Sequence, residues 1–160
     1  MSGRRLLSVL VGLMLIPAFL TSLAQARARS TTTIRLLSVA SAYRYKDAAP
    51  KGLSAGDSVT GTDRLYNLAA QLGRPKGALV GSDSGTWKIL SAKGAAAFRG
   101  VARLPGGTIF VKGRIALDAS SGSLPVVGGS GRFAGARGTL VVRELGTQGR
   151  AANIFLLTLP

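Results

Sequence analysis

Between residues 96 and 117 the side chains alternate in character with a period of two, a pattern no helix satisfies. Ala96, Phe98, Gly100, Ala102 and Leu104 fall on one side of the chain while Arg99 and Arg103 fall on the other. Ile109, Val111, Gly113, Ile115 and Leu117 then alternate with Lys112 and Arg114. An extended strand throws successive side chains to opposite faces, so paired antiparallel strands bury the first set and hydrate the second. Pro105, Gly106 and Gly107 lie between the two runs and supply the fixed and the permissive φ of a tight hairpin.

The same character recurs along the chain. Segments at about 34–41, 57–66, 77–91, 95–104, 107–117, 122–127, 138–145 and 150–159 have strand composition and are separated by clusters of Gly, Pro, Ser, Asp and Asn. That spacing predicts an all-β sandwich or barrel. The one plausible helical stretch, residues 65–72, is short and reads as a loop turn. Glycines inside strands, such as Gly61, Gly100 and Gly113, suggest the bends or bulges that close a barrel.

Ahead of this domain, residues 1–26 carry Arg4 and Arg5, an apolar run to Leu20 and the small-residue pattern Ala24-Gln25-Ala26. This is the three-part form of a secretory signal cleaved near Ala26. The run falls short of a membrane span. The arginine pair leaves a twin-arginine route open beside the general one. The absence of Cys after the cleavage site excludes a bacterial lipid anchor. Residues 27–33, polar, basic and Thr-rich, read as a disordered leader to a domain over 34–160. The expected location is extracellular or periplasmic.

Composition narrows the chemistry. The chain has no Cys and no His, which removes zinc sites, Ser-His-Asp and Cys-His triads and the usual base that titrates near neutrality. Catalysis would fall to Asp, Glu, Tyr, Lys or Arg, with no cofactor expected and no metal site. After loss of residues 1–26 the chain keeps 19 basic residues against 6 acidic ones, a net charge of +13.

Residues 124–138 read LPVVGGSGRFAGARG. Pro125, Val126, Val127, Gly128, Gly129, Ser130 and Gly131, then Phe133, then Ala136, Arg137 and Gly138, resemble the allene oxide cyclase/dirigent superfamily. The likeness extends back through Gly56 and Asp57, Asp63, a turn flanked by Gly81 and Gly85 before Trp87, and the Gly106-Gly107 hairpin, covering about residues 56–145. The resemblance implies an eight-stranded antiparallel β-barrel whose cavity holds one small, largely apolar or phenolic molecule, in a family whose members often form trimers. The Gly-Gly-Ser-Gly cluster lacks the Gly-Lys-Ser/Thr and following helix of a phosphate-binding loop, so Gly128, Gly129 and Gly131 read as a structural turn.

In the dirigent branch, Asp residues of the first long strand and after the hairpin, with an Arg ahead of the Val-Val-Gly-Gly run, act on quinone-methide-like intermediates. Asp57, Asp63 and Asp118 match the acids. The Arg has no match, because residues 119–123 are shorter than the family segment and hold no basic residue. Asp57 and Asp118 also suit loop capping. Asp63, in mid-strand, is the better cavity acid, since desolvation raises a carboxyl's pKa and makes it a proton donor. Tyr66, Phe98 and Arg137 complete the candidate site as ligand-binding residues, although Arg137 also suits bracing of the turn.

Three functions remain: a barrel that binds or orients a small hydrophobic or phenolic ligand; a cofactor-independent isomerase, cyclase or lyase using cavity Asp residues; and a basic, solid extracellular domain adhering to an anionic cell-surface polymer. Basic residues are scattered without interleaved aromatics, which argues against specific nucleic-acid recognition.

Overall fold

The computed structural model describes residues 29–116, 118–146 and 149–160. The export signal expected over residues 1–26 lies outside them. Eight strands follow in order: β1 (Ser30–Lys46), β2 (Ser58–Asn67), β3 (Leu79–Ile89), β4 (Ala95–Leu104), β5 (Gly107–Ala116), β6 (Ser121–Gly131), β7 (Arg137–Glu144) and β8 (Arg150–Leu159). Each pairs antiparallel with the next, and β1 pairs with β8, so the sheet closes on itself as a barrel. The expected barrel and all eight expected strands are present, and the described residues contain no helix.

The hairpin from Pro105 is as expected: Leu104 pairs with Gly107 and Gly106 takes a φ of +86°. So is the alternation, with Ala96, Ala102, Leu104, Ile109 and Val111 buried and Arg99, Arg103, Lys112 and Arg114 exposed.

Four local expectations are corrected. The strand expected from residue 34 begins at Ser30, and Ser30 to Thr33 pair with Leu159 to Leu156 of β8. Backbone pairing with β8 therefore overrides the polar, Thr-rich character that had suggested a leader there. Gly81 and Gly85 do not flank a turn but lie inside β3, opposite Leu65 and Gly61. Gly128, Gly129 and Gly131 belong to β6, paired with Phe110, Ile109 and Gly107; the turn is one step later, at residues 132–135. Their role is close approach, since a Cβ on Gly129 would sit 2.4 Å from the Phe133 carbonyl oxygen and 2.6 Å from that of Thr108. Finally, the bulges lie not at Gly61, Gly100 or Gly113 but between Ala40 and Ala42, Leu65 and Tyr66, and Phe110 and Val111.

The two ends of the barrel differ. At one end the β4–β5 hairpin, the β6–β7 turn and the start of β1 meet over Ile34, Leu104, Ile109, Phe133, Ala136 and Leu157, all buried in one apolar cluster. Phe133, 1% exposed, is the stopper of this end; the Arg132 N–H donates to the Gly106 carbonyl, tying its turn to the hairpin. At the other end, the loops after β1, β3, β5 and β7 surround an opening. A Phe133→Ala substitution removes the largest side chain from the closed end and is expected to destabilise the fold by about 3–5 kcal/mol. Urea unfolding checks this: the midpoint falls while the dependence on denaturant stays the same.

Candidate functional site

Above the closed end, a cavity of about 240 Å³ opens toward the loops. Its upper wall depends on three glycines in one row across neighbouring strands, Gly61 opposite Gly85 and Gly85 opposite Gly100. The ring of Tyr43 lies where a Cβ on Gly61 would be, 2.5 Å away, and the ring of Phe98 covers Gly85 and Gly100 at 2.6 and 2.5 Å. Glycine here is demanded by aromatic rings lying flat against the wall. Trp87 stands between them, its ring centroid 6.1 Å from that of Tyr43 and 5.0 Å from that of Phe98. Phe98 thus lines the cavity.

One row deeper, β2 and β3 bring two carboxyl groups into the same space, because Asp63 pairs directly with Asp83 and both face the lumen. Their surroundings differ. Asp63 accepts hydrogen bonds from Ser38 Oγ at 2.5 Å and from the Tyr43 hydroxyl at 2.9 Å. Asp83 receives one side-chain bond, from Asn153 Nδ2 at a long 3.3 Å. Burial, and then the charge of Asp63, push the Asp83 carboxyl up to about 7. Burial and the bond to Asp63 hold the Tyr43 phenol well above its ordinary range, so it stays a donor. The result is an unlike pair: Asp63 accepts from two hydroxyls, whereas Asp83, with one long bond, can carry a proton near neutrality.

Asn153, 6% exposed and lining the cavity, leaves its Oδ1 without a hydrogen-bond donor among the described residues. A buried amide oxygen with no partner is costly. It marks a point where a ligand's O–H or N–H would be met.

The remaining expected residues are placed elsewhere. Asp57 is fully buried in the loop after β1, accepting from the Tyr45 hydroxyl at 2.6 Å and from the Ala48 and Ser54 N–H groups at 2.7 and 2.8 Å. The Tyr45 bond, then the two backbone bonds, hold it below the usual carboxylate range, and its partner Tyr45 is pushed up to about 12. It is a loop latch and does not line the cavity. Asp118 is an exposed turn residue at the mouth, outside the lining. Tyr66 has the opposite parity from Asp63 and Leu65, so it sits on the outer wall. Arg137 lies at the closed end and donates from one guanidinium nitrogen to the Val127 and Ala136 carbonyls, both at 2.9 Å, which is the bracing role. Of the expected acids, only Asp63 reaches the cavity. The other polar groups of the cavity, Asp83, Tyr43 and Asn153, were not anticipated.

Tyr43 has a visible cause. Ile34, Leu36 and Ser38 point inward in strict alternation, which would carry Ala42 and Arg44 into the lumen. The β-bulge at Ser41, whose hydroxyl donates to the Thr62 carbonyl at 2.7 Å, resets the parity and turns Tyr43 inward instead. Among the described residues, no group of three or more acidic side chains is arranged to hold a metal ion.

Residues 37–156 match the allene oxide cyclase barrel like domain. No curated protein matches the chain. Several solved structures share the fold. A pyocyanin demethylase superposes with a TM-score of 0.66 at 20% identity, covering 79% of this chain and 99% of that one. The pterocarpan synthase dirigent protein GePTS1 gives 0.65 at 16% identity, with 92% and 97% covered. The Diels-Alderase AbmU from Streptomyces koyangensis gives 0.65 at 22% identity, with 84% and 70% covered.

The raised pKa of Asp83 makes stability fall with rising pH. The folded carboxyl holds its proton up to about 7, whereas the unfolded one loses it near 3.8. The contribution is therefore complete below pH 4 and gone above pH 7, on the order of 3–4 kcal/mol. Asp57 acts in the opposite sense, and its contribution is lost as pH falls below about 4. Urea unfolding at pH 4.5 and 7.5 is expected to give a more stable protein at the lower pH, and Asp83→Asn to flatten that difference.

Proposed function

The chain belongs to the allene oxide cyclase barrel-like family, and from that premise we propose that it binds one small, largely apolar ligand in the cavity and rearranges it by acid–base chemistry at Asp63 and Asp83. The observation that carries this reading is the pairing of two lumen-facing carboxyls in unlike environments beneath an aromatic wall. The partnerless Asn153 Oδ1 beside them supports it, because a ligand bearing a hydroxyl or N–H would satisfy it. A phenolic compound has both features, an aromatic face for Trp87 and Phe98 and a hydroxyl for the amide. The cavity also removes the premise of a solid barrel.

In the proposed step Asp83 gives its proton to the ligand, at a carbonyl oxygen or an electron-rich carbon, as the Trp87–Phe98 wall holds the apolar body still. Asp63, held in place by the Ser38 and Tyr43 hydroxyls, stabilises the developing positive charge and takes a proton from another ligand atom. The ligand neither gains nor loses atoms, so the outcome is an isomerisation or cyclisation with no oxidant or reductant. Proton exchange between the two carboxyls resets the pair. Solved relatives of this fold include a Diels-Alderase and a pterocarpan synthase dirigent protein, which fits a barrel that shapes small molecules.

The same proposal extends to the setting. The mature chain acts outside the cytoplasm once residues 1–26 are removed. Leu37, Val141, Ile154 and Leu156 lie on the outer wall of β1, β7 and β8, Val141 directly opposite Ile154, and supply apolar contacts for a homo-oligomer such as a trimer. Native mass spectrometry of the exported protein is expected to give a chain beginning after Ala26 and more than one subunit.

The central test uses neutral Nile red as the cavity reporter and a panel of phenols as competitors and substrates. Stoichiometric dye binding that is insensitive to salt, displaced by a phenol, is expected. For any phenol that is turned over, Asp83→Asn is expected to lower kcat by 10²–10⁴-fold with dye affinity kept. The rate of the unaltered protein should fall as pH rises through about 7. Unchanged turnover in Asp83→Asn would remove the acid–base role, and absence of dye binding would remove the ligand.

A further inference from the structure

The outer wall of β1–β5 carries a charge pattern that the cavity chemistry does not use. Strand register aligns its outward side chains in rows. One row runs Lys46–Ser58–Lys88–Ala97–Arg114, and the next runs Arg44–Thr60–Thr86–Arg99–Lys112. Two further rows run Ala42–Thr62–Ser84–Val101–Phe110 and Arg64–Ser82–Arg103–Thr108. All eight cations in these rows are exposed. No acidic side chain shares the face: Asp63 and Asp83 point into the lumen, Asp57 is buried in its loop, and Asp47, Asp118 and Glu144 stand at the mouth end. Among the described residues, none of the eight cations has a carboxylate partner; the one side-chain bond any of them makes is Arg103 to Ser84 Oγ, 3.1 Å.

This face is also grooved. Small side chains between Arg44 and Arg99 leave a depression of about 430 Å³, floored by Thr60, Thr62, Ser84 and Thr86 and walled by the two arginines. At about 4.8 Å per strand, the row from Arg44 to Lys112 extends about 19 Å across the barrel. A single small anion would occupy one clamp and leave the other cations repelling one another. A repeating anion neutralises them all.

We propose that the outer face of β1–β5 is a docking surface for a linear acidic polysaccharide, laid across the strands along the row Arg44–Thr60–Thr86–Arg99–Lys112. The charges match a carboxylate on each of several sugars. The threonine and serine hydroxyls between them match sugar hydroxyls. Phe110 is the single aromatic of these four rows and Tyr66 lies beyond them on β2, so the rows offer no continuous stacking platform for the bases of a nucleic acid. The surface lies on the outer side of the wall that lines the cavity, sharing Tyr43, Ser84, Gly85 and Val101 with it, and holds the barrel on a polymer while the lumen faces solution.

The test measures binding of the full mature chain to polygalacturonate, with neutral dextran, single-stranded poly(dT) and anionic phospholipid vesicles alongside. Binding to polygalacturonate, weakening steeply with salt, and none to dextran are expected. The triple variant R44Q/R99Q/K112Q is expected to lose affinity by about fivefold per cation removed, on the order of 10²-fold in all. The variant R74Q/K76Q/R143Q, which removes as much charge from other surfaces, should lose little. Nile red binding reports that the barrel remains intact in both. Equal losses in the two variants would overturn the proposal, because net charge alone would then account for binding. Tighter binding to poly(dT) or to vesicles than to polygalacturonate at the same salt would overturn it too.

Discussion

Closure of the sheet between β1 and β8 is the constraint on which everything else depends. With β1 bonded to β8, every strand has two neighbours and no long edge is left to template aggregation. Closure also divides side chains into two populations, lumen and exterior, with parity as the only sorting rule. The six acidic residues of the chain are sorted by that rule and by the loops, Asp63 and Asp83 deep in the lumen, Glu144 at its rim, and none on the outward strand positions of the basic face. A highly cationic protein thereby keeps two paired carboxyl groups inside a wall whose outer face carries cations.

The interior polar groups are not arranged for stability. Asp63 is satisfied by two hydroxyls, yet Asp83 has one long bond and Asn153 leaves an acceptor unused. An apolar set of similar volume would fold more firmly. Asp57 offers the contrast within the same molecule, since its carboxyl is saturated by the loop around it and has no space to meet a ligand. Incomplete satisfaction, more than burial itself, separates the acid proposed to act on a ligand from the structural one.

Much of the fold was legible in the sequence because closure leaves its mark on alternation. The hairpin through Pro105 and Gly106, the inward set from Ala96 to Val111 and the strand count all followed from period two and turn chemistry. The site was legible only in part. Asp83 shares its parity with Gly81, Gly85 and Trp87, which placed it on the aromatic side of a strand, but two glycines around it suggested a turn. Those glycines exist for the ring of Phe98 and the backbone of β4, a tertiary demand invisible along the chain. Tyr66 is near Asp63 in sequence, yet parity turns it outward, whereas the Ser41 bulge turns Tyr43 inward, which alternation alone does not reveal. Gly128 and Gly129 likewise reflect a neighbouring strand's close approach.

The bulge at Ser41 carries one residue more than its partner strand needs. Ironing it out by sliding the ladder would draw Arg44 into the lumen and turn Tyr43 away from Asp63, so the surplus stays where it is. Deleting that one residue, by contrast, would leave a regular ladder with Tyr43 still inside. Wall strands are ordinarily the least forgiving of changes in length, and loops the most. In this barrel a strand holds one residue of slack, a point at which insertion and loss during descent leave the contents of the lumen unchanged.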